Sequence, residues 1–182
     1  MAYASCYLAR NNAAVAKVPL LAVLGTGTLT LWGTGSGSMA VAAAGALGFL
    51  DAAFLLSYTL GSFVVPAVLD LDKRNPWEVV WSALAVTGVS QILMCGAWTL
   101  LASGFQLDNF LLCLACCLLN GSAQSVLYPS CKALMADTFG ADGAVLGFWN
   151  TCYYFGGVAS TLLAAVLCDN YGWGAAFLGP GV

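Results

Sequence analysis

Long runs without a charged side chain set the pattern of this sequence. Val79 to Leu107, Asn109 to Cys131 and Gly143 to Cys168 carry no charge, and neither does Ala52 to Leu69, which follows the apolar Ala40 to Leu50 across Asp51. About 20 mostly apolar residues carry a helix across the hydrocarbon core. The runs therefore predict spans at about 46–69, 78–103, 109–134 and 143–168. Residues 1 to about 24 predict a further span with polar side chains embedded in it, and DNYGWGAAFLGPGV turns and starts a sixth after 173. Between the first two spans, LGTGTLTLWGTGSGS is rich in Gly, Thr and Ser and reads as a loop. Only helices and closed barrels satisfy the backbone in lipid, and barrel strands would alternate polar and apolar residues, which these runs do not. The expected fold is all-α, a polytopic transmembrane helix bundle of about five spans, cut short within a sixth.

Composition agrees. Of 182 residues 61% are hydrophobic and 7% charged, against ~25% charged in a soluble domain. The net charge of −3, with no basic block, excludes nucleic acid as a partner. The absence of histidine removes the commonest general base and zinc ligand. No nucleophile–base pair is visible, so no catalytic residue, metal or cofactor is expected and the chain is not read as an enzyme. Cys113, Cys116 and Cys117 share one helical face, but cysteines in an apolar run behave as small hydrophobes. The few cations orient the bundle. Lys73 and Arg74 lie between the second and third segments and Lys132 near the loop after the fourth, so strict alternation puts them on one side, which the positive-inside rule makes cytoplasmic.

Polar side chains at membrane depth are costly and by default face a cavity or a partner. Tyr3, Tyr7 and Arg10 fall on one face of the first segment. Asn120, Gln124 and Tyr128 form a stripe on the fourth, followed by Pro129, and Asn150, Tyr153 and Gly157 form one on the fifth. Two readings stay open for the amides and tyrosines, a shared water-accessible cavity or hydrogen-bonded packing between helices. Arg10 is permanently charged and needs an anion or several carbonyls. Gly143 and Gly147 read as close helix contacts, and Asp51 as a helix N-terminal or a coupling residue. Asp70, Lys73 and Arg74 belong to a charged turn that either latches helix ends or is simply solvated.

Four segments resemble the N-terminal half of a major facilitator superfamily transporter, in the organophosphate:phosphate antiporter branch and near the eukaryotic sugar-phosphate exchangers. They are YASCYLARNNAAVAK, GFLDAAFLLSYTLGSF with VLDLDKR, NGSAQSVLYPSCKAL, and GFWNTCYYFGGVAS with YGWGAAF. The resemblance implies alternating-access exchange of a sugar phosphate or glycerol phosphate for inorganic phosphate, in an integral multi-pass membrane protein of, for example, the endoplasmic reticulum. It implies that Arg10 binds the substrate, with Tyr3, Tyr7, Gln124 and Tyr128 lining the cavity; the stripes add Asn120, Asn150 and Tyr153. The implied partners are the bilayer and a missing C-terminal half. Asn11 stands where the family has lysine, and the basic Arg-Gly at the fifth-helix entrance is absent. The alternative is a non-transporting degenerate fragment or membrane scaffold of the same fold.

Overall fold

The structure is a computed structural model that describes residue 15 and residues 36–68, 74–103, 107–140 and 142–181. The segment expected to span at 1 to about 24 lies outside the described residues, residue 15 excepted. Six helices follow: α1 (Ser36–Val68), α2 (Pro76–Ser103), α3 (Leu107–Ser125), α4 (Leu127–Phe139), α5 (Gly143–Tyr171) and α6 (Trp173–Gly181). No strand occurs among the described residues. Among the described residues, four stretches are long and apolar enough to cross a membrane: Ala44–Ala67, Pro76–Leu101, Leu107–Phe139 and Gly143–Tyr171.

Local chemistry explains the helix ends. Asn75 caps α2, its Oδ1 accepting from Trp77 N at 3.0 Å, while Pro76 takes the first helical position, where an N–H is not needed. Glu78 adds a negative charge at the positive end of the helix dipole. Asp142 caps α5 through Ala144 N at 2.8 Å, and Gly172, at φ 83°, closes it with its N–H on Cys168 O. Two features differ from the sequence expectation. Helix α1 begins at Ser36, inside the Gly/Ser-rich stretch read as loop, because Met39 to Ala44 is a run of strong helix formers that carries the helix backwards. The fourth span is not one rod: it breaks at Val126, three residues before Pro129. Proline has no N–H for the Ser125 carbonyl and its ring crowds that carbonyl, so the ladder stops there and resumes with Ser130 N on Val126 O at 3.2 Å.

Helix α3 is the centre. It packs along α1 on one side and α2 on the other, while α2 also meets α4 and α6, and α5 meets α6. The α1–α3 contact is a seam of small residues. A Cβ on Gly121 would stand 2.7 Å from the Phe54 carbonyl oxygen, and one on Gly61 2.7 Å from Ser125 Oγ. Ser57 Oγ donates to Leu118 O at 2.5 Å and lies 2.8 Å from Ser122 Oγ. Lipid is as apolar as leucine, so helices in it associate through close packing and hydrogen bonds, and this seam supplies both. The close contacts expected at Gly143 and Gly147 are not made by the described residues: a Cβ at either position would meet none of them within 4 Å. Both lie on the first two turns of α5, away from the seam, and no helix among the described residues packs against them.

Two apolar clusters fill the interior. One joins Leu47 and Leu50 of α1, Met94 and Trp98 of α2, and Cys113 and Cys117 of α3, with Phe177 of α6. The other joins Val79, Val80 and Ala83 of α2 to Val126, Leu127 and Cys131. Arg74 and Lys132 lie at the end of the second cluster, the side the cation rule assigns to the cytoplasm.

Candidate functional site

Between the two clusters each central helix turns polar. Helix α1 offers Ser57, α2 offers Thr87, Ser90 and Gln91, and α3 offers Asn120, Gln124 and Ser125, all buried. These positions fall in the gap between the clusters on every helix, so they make one polar layer at mid-height of the bundle. Asn120 and Gln124 lie one turn apart on α3, and Gln124 Nε2 donates to Asn120 Oδ1 at 3.0 Å. They are 2% and 3% exposed. Ser90 Oγ donates to Thr87 O at 2.8 Å, whereas the buried Thr87 Oγ1 has no hydrogen-bond partner among the described residues. A buried hydroxyl without a partner is costly, so the layer holds polarity beyond what packing uses.

Of the residues expected to bind substrate, Asn120 and Gln124 come together in this layer. Tyr128 follows one turn further on, beyond the Val126 interruption. It lies at the start of α4, half-buried against the second cluster, with its ring 5.7 Å from that of Trp149 and tilted by 36°. Asn150 is exposed on α5. Tyr153 belongs to α5, but its side chain lies outside the described residues, as do Tyr3, Tyr7, Arg10, Asp70 and Lys73. Arg74 is exposed just before α2. Asp51 is half-buried well inside α1, because that helix begins at Ser36. The helix dipole acts within the first turn, so the N-terminal role expected for Asp51 fails. The cysteines behave as hydrophobes: Cys113, Cys116 and Cys117 belong to the first cluster, and no group of three potential ligands gathers among the described residues.

The α2 stripe was missed by sequence reasoning. Thr87, Ser90 and Gln91 sit in a charge-free run that reads as plain span, yet their i, i+3, i+4 spacing is a one-face signal of the same kind as the i, i+4, i+8 stripe of the fourth span.

Comparison with known proteins adds the family. The sequence matches the Major Facilitator Superfamily over residues 1–182. It is 30% identical over 142 residues to putative glycerol-3-phosphate transporter 4 of Arabidopsis thaliana, covering 74% of this chain and 24% of that protein. It is 29% identical over 141 residues to the glucose-6-phosphate exchanger SLC37A2 of Xenopus tropicalis, covering 75% and 26%. The human SLC37A2 exchanger is 28% identical over 144 residues, covering 75% and 26%. The chain thus spans about a quarter of the length of the curated relatives it matches. No solved structure shows a significant match. Four apolar helices and a family match over its whole length make this an integral, multi-pass membrane protein, and the chain belongs to the Major Facilitator Superfamily.

Proposed function

We propose that this chain is part of an alternating-access transporter that exchanges a phosphorylated metabolite, such as a sugar phosphate or glycerol phosphate, for inorganic phosphate. The observation that carries the reading is the similarity to proteins named for glycerol-3-phosphate and glucose-6-phosphate. The polar layer supports it, because transporters of this kind bind substrate near the bilayer midplane, between two halves that rock about the site. Arg10 grips the phosphate, since its guanidinium fork matches phosphate oxygens bidentately. Tyr3 and Tyr7, which the sequence spacing predicts to share its face, orient it through their hydroxyls. Asn120 and Gln124 contribute amide donors and acceptors, and the bond between them opens when substrate takes its place.

One observation favours the rival reading of a non-transporting scaffold: Asn120 and Gln124 already hydrogen-bond each other in a buried position. The double variant Asn120→Leu/Gln124→Leu separates the two. Removing both partners leaves neither amide stranded, so stability changes little. In a hybrid that joins this chain to the rest of the Arabidopsis protein, phosphate-ester exchange is expected to fall about tenfold or more, the equivalent of one lost hydrogen bond to a charged group. Exchange unchanged in a correctly inserted double variant assigns both amides to packing.

A further inference from the structure

A threonine in a helix commonly hands its hydroxyl proton to a main-chain carbonyl one turn back. Thr59, Thr99, Thr138, Thr151 and Thr161 all do so here, at 2.5–2.9 Å, and all five are exposed. The serines of the polar layer also place their protons on carbonyls: Ser57 on Leu118 O, Ser90 on Thr87 O and Ser125 on Ser122 O. Thr87 is the exception. It is 3% exposed, and its Oγ1 has no hydrogen-bond partner among the described residues. The threonine that loses most by standing alone lacks the bond that its exposed counterparts make.

We propose that Thr87 hydrogen-bonds a hydroxyl on the organic part of the phosphate ester, and so helps to decide which esters the site takes. The inference rests on the exchanger reading above and concerns the part of the substrate that Arg10 leaves unread. A phosphate is recognised by charge, and the layer around Thr87 has none to offer: its buried polar side chains are hydroxyls and amides. Those groups suit a neutral polyol. Thr87 stands between the same two apolar clusters as Asn120 and Gln124, and α2 packs along α3. Once the amide pair opens, a substrate hydroxyl entering the layer finds in Thr87 one donor and two acceptor lone pairs. An ester with a bare alkyl chain brings nothing to pair with it, and neither does inorganic phosphate held at Arg10. A site that hydrogen-bonds a substrate hydroxyl discriminates against the analogue lacking it, because its own buried group then stays unpaired.

The test uses the hybrid in proteoliposomes loaded with labelled inorganic phosphate, with glycerol-3-phosphate, propyl phosphate or inorganic phosphate added outside. Propyl phosphate has the same carbon chain as glycerol-3-phosphate without its hydroxyls. The unsubstituted hybrid is expected to be half-saturated by less glycerol-3-phosphate than propyl phosphate. Thr87→Val keeps the shape of the side chain and removes its hydroxyl. It should raise the half-saturating glycerol-3-phosphate concentration about three- to tenfold, the effect of one neutral hydrogen bond, and leave the other two values unchanged. Thr87→Ser, which returns the hydroxyl, restores the preference. Thr87→Val leaves no stranded polar group, so it should unfold in SDS no earlier than the unsubstituted protein. A Thr87→Val hybrid that keeps the original ratio between the two esters, or in which all three values shift together, overturns the assignment and leaves phosphate-ester exchange standing. An unsubstituted hybrid that exchanges none of the three overturns the exchanger reading, and this assignment with it.

Discussion

Gly121→Leu is expected to unfold the α1–α3 pair, the largest loss of stability that a single substitution outside the polar layer produces. The reason is the partner. A Cβ on Gly121 meets the Phe54 backbone carbonyl at 2.7 Å and Ser57 Cβ at 3.1 Å. Neither can rotate away, so α1 must move off α3 and take the Ser57 bonds with it. Overpacking a tight contact by one carbon costs ~1–3 kcal/mol, and a leucine adds three more carbons. Gly121→Ala should therefore be clearly destabilising and Gly121→Leu more so. Gly61→Ala is milder, because the nearest atom to its new Cβ is Ser125 Oγ, the end of a short side chain. Ser57→Ala removes only interhelical hydrogen bonds, worth ~0.6 kcal/mol on average in membranes. Gly147→Ala meets none of the described residues within 4 Å and should be neutral or slightly stabilising, since alanine is the better helix former by up to ~1 kcal/mol. Unfolding of the detergent-solubilised chain by SDS should rank the variants in that order. Gly121→Leu unfolding at the same SDS fraction as Gly147→Ala would mean that α1 and α3 are not packed backbone to backbone.

Arg10→Gln is expected to abolish exchange by the hybrid transporter, the largest effect on activity. Arg10 lies outside the described residues, so the reasoning rests on sequence. The sequence places it within the first predicted span, and a charge at membrane depth costs at least ~2.5 kcal/mol on insertion scales. A phosphate dianion compensates that charge directly. Each hydrogen bond to a charged group is worth ~1.5–3 kcal/mol, so losing a bidentate pair should reduce exchange roughly 100-fold or more. Arg10→Lys keeps the charge but not the planar fork, and exchange should still fall severely while membrane insertion persists. Transport by Arg10→Gln at the unsubstituted rate, with unchanged apparent affinity, would assign Arg10 to packing.

What could be read from the sequence depended on how local the cause was. The helices of the second to fifth spans are visible as charge-free runs, because lipid leaves the backbone no other partner than itself. The break at Val126 is foreshadowed by Pro129, a local steric effect. The early start of α1 was hidden because glycine and serine at 36–38 look like loop while the alanines after them drive helix. The pairing of Asn120 with Gln124 follows from one helix's own periodicity. The partner of Tyr128 does not, since Trp149 comes from another helix. The seam was missed for the same reason: Gly61 and Gly121 lie on different helices, and spacing within one helix carries no information about which glycines meet another backbone.

The central claim is that this chain builds a phosphate-ester exchanger rather than an inert scaffold. The most direct measurement loads proteoliposomes containing the hybrid with labelled inorganic phosphate and adds glycerol-3-phosphate, glucose-6-phosphate or free glycerol outside. Rapid release of label on addition of a phosphate ester, with none on addition of glycerol, is the result expected. Release at the rate of protein-free liposomes, from hybrid that is correctly inserted and folded, would contradict the account.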